Sequence, residues 1–352
     1  MLHVFRKDFN TKDTENSERS WRYSSVISNS LLCALCVESL ILFVATATTA
    51  DAQTILDYGR ECAAKIAAIE PFDCRAGTPM PVTVNGQIVP YQPNMTCDRP
   101  SLLPYSEPGS QGQCIPFSRV LVLRDDGQAQ IVAACREKVI RPADTYWFDE
   151  VDIISHSVST GSTCWFQAKA AEPLARDRGL DGRRVPPPEE SVPPPGRPAA
   201  VTFWRTPEDT AAEKCVACHD SDPFMYSPFV AQTGKMPRDP FGYYANDIGA
   251  AFKAWPKPIA ISTRGNTCVG CHRIGSLATC HTTMYQAVGL QPVSGADTWA
   301  QKFPQSHWMP PGYSLTEKEW NLVYQDAVKQ LAACCNAPDA PGCKKDRIGS
   351  RE

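Results

Sequence analysis

The chain has 352 residues, length enough for two domains of ordinary size, and 43% hydrophobic with 21% charged residues excludes wholesale disorder. A formal net charge of −3 gives no reason to expect nucleic acid or an anionic membrane surface as partner. Sixteen cysteines and thirty-one prolines are both above average; the first points to an oxidising compartment, the second to loops and linkers.

Residues 1–52 read as a secretory signal. Arg6, Lys7, Lys12, Arg19 and Arg22 precede an apolar run beginning at Leu31, and Ala50-Asp51-Ala52 supplies an A-x-A cleavage site before Gln53. The basic region is long and Glu38 interrupts the apolar run, so an uncleaved anchor is the alternative, and membrane contact is expected only in that case. Export implies a periplasmic protein. Cys33 and Cys36 fall inside the signal and would be absent from the mature chain.

Residues 53–178 form the next block. Ile55, Tyr58, Cys62, Ile66 and Ile69 recur at helical spacing and predict an amphipathic helix. Hairpins are predicted around Asn85-Gly86, where both turn positions need positive φ, around Asp126-Gly127, and within 151–168 with Gly161 in the turn. Cys62, Cys74, Cys97, Cys114, Cys135 and Cys164 make an even set in an exported block, which predicts three disulfides of unassigned connectivity.

Residues 179–200 carry two proline triplets and no apolar pattern with which to pack, so a linker or long surface loop is expected there. Residues 201–352 are helical in their punctuation. Thr206, Pro207, Glu208 and Asp209 open a short helix that should carry the segment Cys215-Val216-Ala217-Cys218-His219 at its end. Tyr244–Trp255 is a second helical candidate. A third has a capping box at Ser314 and Glu317, followed by the stripe Trp320, Val323, Ala327, Val328 and Leu331. The expected class is α+β: a disulfide-rich block with β-hairpins, then a mainly α-helical domain.

The segment Cys268-Val269-Gly270-Cys271-His272 repeats the pattern of 215–219. C-x-x-C-H is the attachment signal of c-type haem. Two thiols at this separation can each form a thioether to one porphyrin vinyl group, and the adjacent histidine can then take an axial position on the iron. Cys215, Cys218 and His219 would hold one haem; Cys268, Cys271 and His272 the other. A redox dithiol belongs near a βαβ pattern that neither copy has. A zinc site usually spaces its pairs more closely. Neither alternative requires the histidine.

With these motifs, and with the segment from His307 and Met309 through the final helix, residues 203–333 resemble the c-type cytochromes. The resemblance implies that a Met-Pro segment supplies the second axial ligand, here Met309, a soft ligand that favours Fe(II). His307 is its rival, and a gap-filling core methionine is the ordinary alternative. For the first iron the sixth position stays open among His156, Met225, Met236, His281, Met284 or none. His156 sits in an apolar-rich strand, where a part-buried histidine is the ordinary outcome. Fewer than fifty residues separate the motifs, so the haems should share one fold. Cys280, Cys334, Cys335 and Cys343 predict two further bridges, not between the strained neighbours Cys334 and Cys335 but tying the last helix to the Cys280 loop and to Cys343. The acidic run Asp220–Pro223 reads as a solvated loop.

The leading expectation is an exported dihaem cytochrome carrying electrons between redox partner proteins, with no catalytic residues assigned. The alternatives are a dihaem peroxidase-like oxidoreductase with one five-coordinate haem, and a haem-bearing docking subunit of a larger exported complex.

Overall fold

Helix α1 (Ile55–Lys65) starts where the Thr54 side chain accepts from the Asp57 backbone N–H at 3.1 Å. Ile55, Tyr58 and Cys62 form its buried stripe, as the spacing predicts. The computed structural model describes residues 52–84, 87–93, 95, 97, 114–172, 174–224, 228–234, 236–237, 239, 241–245, 248–283 and 316–349. The signal, His307, Met309, Met225 and Met284 lie outside these residues.

Nine short strands follow α1: β1 (Thr78–Pro79), β2 (Thr83–Val84), β3 (Gln87–Ile88), β4 (Arg119–Asp125), β5 (Ala129–Arg136), β6 (Trp147–Phe148), β7 (Glu150–Ser157), β8 (Thr163–Lys169) and β9 (Leu180–Asp181). An antiparallel sheet runs β1-β4-β5-β7-β8. The predicted hairpins are there. Val84 pairs with Gln87 across the Asn85-Gly86 dipeptide. Between β4 and β5 the loop has three residues. Only Gly127 there takes positive φ (+77°), while Asp126 Oδ1 accepts from Gln128 N and Ala129 N. Gly161, at φ +78°, lies in the β7–β8 turn.

The six cysteines of this block form Cys62–Cys164, Cys74–Cys135 and Cys97–Cys114. The first bridge ties α1 to β8. Strand side chains alternate, so the β7–β8 register sorts the sheet into two faces. Val151, Ile153, Phe166 and Ala168 share the face that meets α1, where the Tyr58 and Phe166 rings lie 5.1 Å apart. Glu150, Asp152, Ile154 and His156 share the other face with Lys169, Gln167, Trp165 and Thr163.

The expected linker is held along its first half. Val185 bridges Phe72, Trp204 donates its indole N–H to the Pro186 carbonyl, and Gly59 leaves no room for a side chain against Pro188. One core draws on both sides of this strap: Tyr58, Ile131 and Trp165 pack with Phe203, Val216, Tyr244, Phe252 and Trp255.

Beyond the strap come α2 (Ala200–Phe203), α3 (Pro207–Ala212), α4 (Pro228–Ala231), β10 (Ile259–Thr263), β11 (Ile274–Gly275), α5 (Glu317–Asn336) and β12 (Cys343–Arg347). The described residues here are not mainly helical. Only α5 is long, and it packs on an antiparallel sheet ordered β11-β10-β12. Of the helix predicted over Tyr244–Trp255, the described residues form only a short 3-10 stretch, Ala250–Ala254, and Gly249 before it stands at φ +87°, outside the helical region.

Helix α5 is capped by Thr316 and Glu319: Thr316 accepts from Glu319 N, and Glu319 accepts from Thr316 N at 2.8 Å, while Ser314 of the expected box lies outside the described residues. The sequence offers the same Ser/Thr-x-x-Glu spacing two residues apart, and the helix takes the second. Trp320, Ala327, Val328 and Leu331 are buried, while Val323 is 54% exposed. The bridges Cys280–Cys335 and Cys334–Cys343 tie α5 on either side, as expected.

Candidate functional site

The two C-x-x-C-H segments fold alike. Each opens with a 3-10 turn, Cys215–Ala217 and Cys268–Gly270. In the first, the Cys215 carbonyl accepts from Cys218 N (3.1 Å) and His219 N (2.9 Å); in the second, the Cys268 carbonyl accepts from Cys271 N (3.2 Å) and His272 N (3.0 Å). Both thiols and the imidazole of each motif therefore spring from one tight loop.

Their supports differ. The first motif follows α3 after a break rather than ending it, because Lys214 takes the left-handed conformation at φ 54°, ψ 47°. Such a conformation costs a side-chain-bearing residue about 1–2 kcal/mol, so the surrounding packing must hold it. Val216 is buried in the large core, and Glu213, ahead of the break, pairs with Lys169 of β8 at 2.9 Å and with Arg205. The second motif is rooted in the smaller core. Buried Asn266 donates to the Ala327 carbonyl of α5 at 2.8 Å and accepts from Cys268 N at 3.0 Å.

The described cysteines divide cleanly. Cys215, Cys218, Cys268 and Cys271 form no disulfide, while the other ten make the five bridges above. Burial pushes the Cys215 thiol up to about 12 and raises Cys218 and Cys268 as well. A redox dithiol works through a thiolate whose pKa is lowered toward or below neutrality. Cys215, Cys218 and Cys268 are moved the other way.

His219 packs edge-on against Trp165, with ring centroids 5.2 Å apart. Its Nδ1 lies 2.8 Å from the Pro223 carbonyl, which can only accept, so Nδ1 carries the proton. Burial lowers its pKa to about 4, leaving a neutral ring with a free lone pair on Nε2. That is the state in which imidazole ligates a metal, its other nitrogen held by a second-shell acceptor. His272 is lowered by burial too. The Trp165 indole N–H is buried without a partner among the described residues. An orphaned donor of this kind costs about 1–3 kcal/mol, and it belongs to the indole that packs on the His219 ring. The residues present fit a haem.

The open sixth-ligand candidates separate. His156 has the same tautomer: Thr163 Oγ1 donates to the Gly161 carbonyl and so accepts from Nδ1 at 3.0 Å. His156 is only 4% exposed, with the Phe224 and Tyr244 rings 6.2 and 6.4 Å from its own. Met236 packs against the cluster of Met80, Val120, Val132 and Phe224. His281 is exposed, one residue past the Cys280 bridge.

Asp220 and Arg273, each directly behind a motif histidine, carried no signal in the sequence. The Asp220–Pro223 run is not a solvated loop. Asp220 is 1% exposed; its carboxylate accepts from Leu277 N at 2.5 Å, from Thr279 N at 3.4 Å and from the Thr279 hydroxyl. Arg273 donates to the Ser221 carbonyl at 3.0 Å and the Gly242 carbonyl at 2.6 Å, with Asp222 3.6 Å away. Burial raises Asp220 to about 6 and Asp222 to about 7. Tyr244 completes the frame, donating its hydroxyl to the His219 carbonyl at 2.6 Å.

Among the described residues, no group of three or more His, Cys, Asp or Glu side chains converges to hold a metal ion, so the motifs do not pool their thiols in one zinc site. No family model matches the chain, and no curated protein or solved structure matches it either.

Proposed function

We propose that this chain is an exported dihaem c-type cytochrome that carries electrons between periplasmic redox partner proteins. One observation carries the reading: in a chain whose other described cysteines are all bridged, the four left unpaired are those of the two C-x-x-C-H turns. Five disulfides suit an oxidising compartment. No helix among the described residues is long and apolar enough to cross a membrane.

Bound at the two motifs, the haem irons would supply one-electron Fe(III)/Fe(II) exchange. The polypeptide's part is to hold and orient them. Cys215, Cys218, Cys268 and Cys271 anchor the macrocycles, and His219 and His272 each present a neutral imidazole. Pro223 fixes the His219 ring through Nδ1. Met309 is the proposed second ligand of the iron at His272.

Visible spectra in both oxidation states, with and without carbon monoxide, test the reading. A carrier with both irons six-coordinate gives low-spin spectra that carbon monoxide leaves unaltered. High-spin bands with carbon monoxide binding would replace it with the peroxidase-like oxidoreductase. Met309→Ala should abolish the weak long-wavelength absorption of the oxidised form; an unchanged band removes Met309 as a ligand.

A further inference from the structure

The residue after each motif histidine ends its side chain in the loop of the other motif. Asp220 follows His219 and takes the Leu277 and Thr279 donors, five and seven residues beyond His272. Arg273 follows His272 and grips the Ser221 carbonyl, two residues beyond His219. Its second branch holds the Gly242 carbonyl, two residues before the Tyr244 whose hydroxyl bonds the His219 carbonyl.

The packing shows that this approach is built. A Cβ on Gly275 would collide with the Asp220 carboxylate, so the second loop comes as near as only glycine permits. Asp220 is buried with its oxygens taken by donors of the other loop, which offsets the cost of removing a carboxylate from water. Arg273 brings a planar fork that bonds two carbonyls at once, which a lysine ammonium on a single stem does not reproduce. The two motifs are otherwise rooted in separate cores, the first beside Trp165 and the second beneath α5.

We propose that Asp220 and Arg273 form a reciprocal latch fixing the two motif loops, and with them the two haems, in one mutual orientation. They are positioning residues for electron exchange between the haems. The inference rests on the haem reading above.

Circular dichroism across the Soret band of the full chain, matured with both haems, tests it. Two near haems held rigidly give a bisignate couplet, so the wild type should show one. Arg273→Met keeps the aliphatic stem but removes both donor branches. It should lose the couplet while its intact mass still carries both haems and its far-UV spectrum is unchanged. Arg273→Lys, which keeps charge and stem, should show a reduced couplet and serves if the methionine variant does not fold. Asp220→Asn keeps an acceptor oxygen for Leu277 and Thr279 and should retain the couplet. A full couplet in R273M or R273K, or none in a wild type bearing both haems, overturns the latch. A wild type with no haem mass defeats the haem reading instead.

Discussion

Glu137 shows how far burial moves a single group in this protein. Its carboxyl lies beside Arg141 and Asp149, which bond each other in a fully enclosed bidentate pair, and Glu137 Oε2 has no hydrogen-bond partner among the described residues. Burial pushes its pKa up to about 8; the Arg141 charge, 4.0 Å away, opposes this without cancelling it. The folded state therefore holds the proton more tightly than the unfolded chain, whose value is 4.5. The stabilisation is fully present below the unfolded pKa and is lost as pH rises through the folded one. Over that window this group should remove up to about 1.4 kcal/mol per pH unit. Glu137→Gln keeps the shape without the titration. Urea unfolding should find the two proteins similar near about pH 5 and the variant more stable near about pH 8. A constant difference between them would contradict the assignment. At this scale the motif residues are legible in the sequence because C-x-x-C-H is a fixed local spacing that occurs twice. Asp220 is not, since its partners lie 57 and 59 positions away and an acidic run reads by default as solvated.

Among the elements, α5 was the easiest to read and still moved. Its stripe is right at Trp320, Ala327, Val328 and Leu331 but wrong at Val323, since a pattern cannot say how wide a face its neighbours cover. Its cap shifted to Thr316 because two overlapping capping boxes are present. The hairpins and the disulfide sets were legible, because turn chemistry is local and vicinal cysteines exclude each other. The helix expected at Tyr244–Trp255 failed at Gly249. Functionally, α5 and the Cys280–Cys335 bridge are what hold the second motif: α5 carries the Asn266 contact, and the bridge closes the loop that Asp220 enters. Cys280→Ala with Cys335→Ala should cost about 2–5 kcal/mol of stability, measured by denaturant unfolding under oxidising conditions. A loss within the error of that measurement would mean that packing alone holds this loop.

For the whole molecule, the sequence reads as two blocks joined by a proline-rich segment, and the described residues share one core across that segment. The strap is held by isolated contacts, the Val185 bridge to Phe72 and the Pro186 carbonyl that accepts from the Trp204 indole, which no periodicity reveals. The large sheet thereby becomes part of the candidate site. Its β8 strand sets Trp165 against His219, and Lys169 anchors the segment leading into the first motif. A mainly helical domain was expected from the helical punctuation of residues 201–352; instead the first motif is a tight turn seated on the large core and the second lies in the connection from β10 to β11.

The proposed function depends on four sulfurs becoming thioethers. The most direct measurement is the intact mass, under denaturing conditions, of the mature chain purified from a host able to attach haem. The prediction is an excess of two haems over the polypeptide, falling to one when Cys215 and Cys218 are both replaced by alanine. A mass equal to that of the bare chain would contradict it.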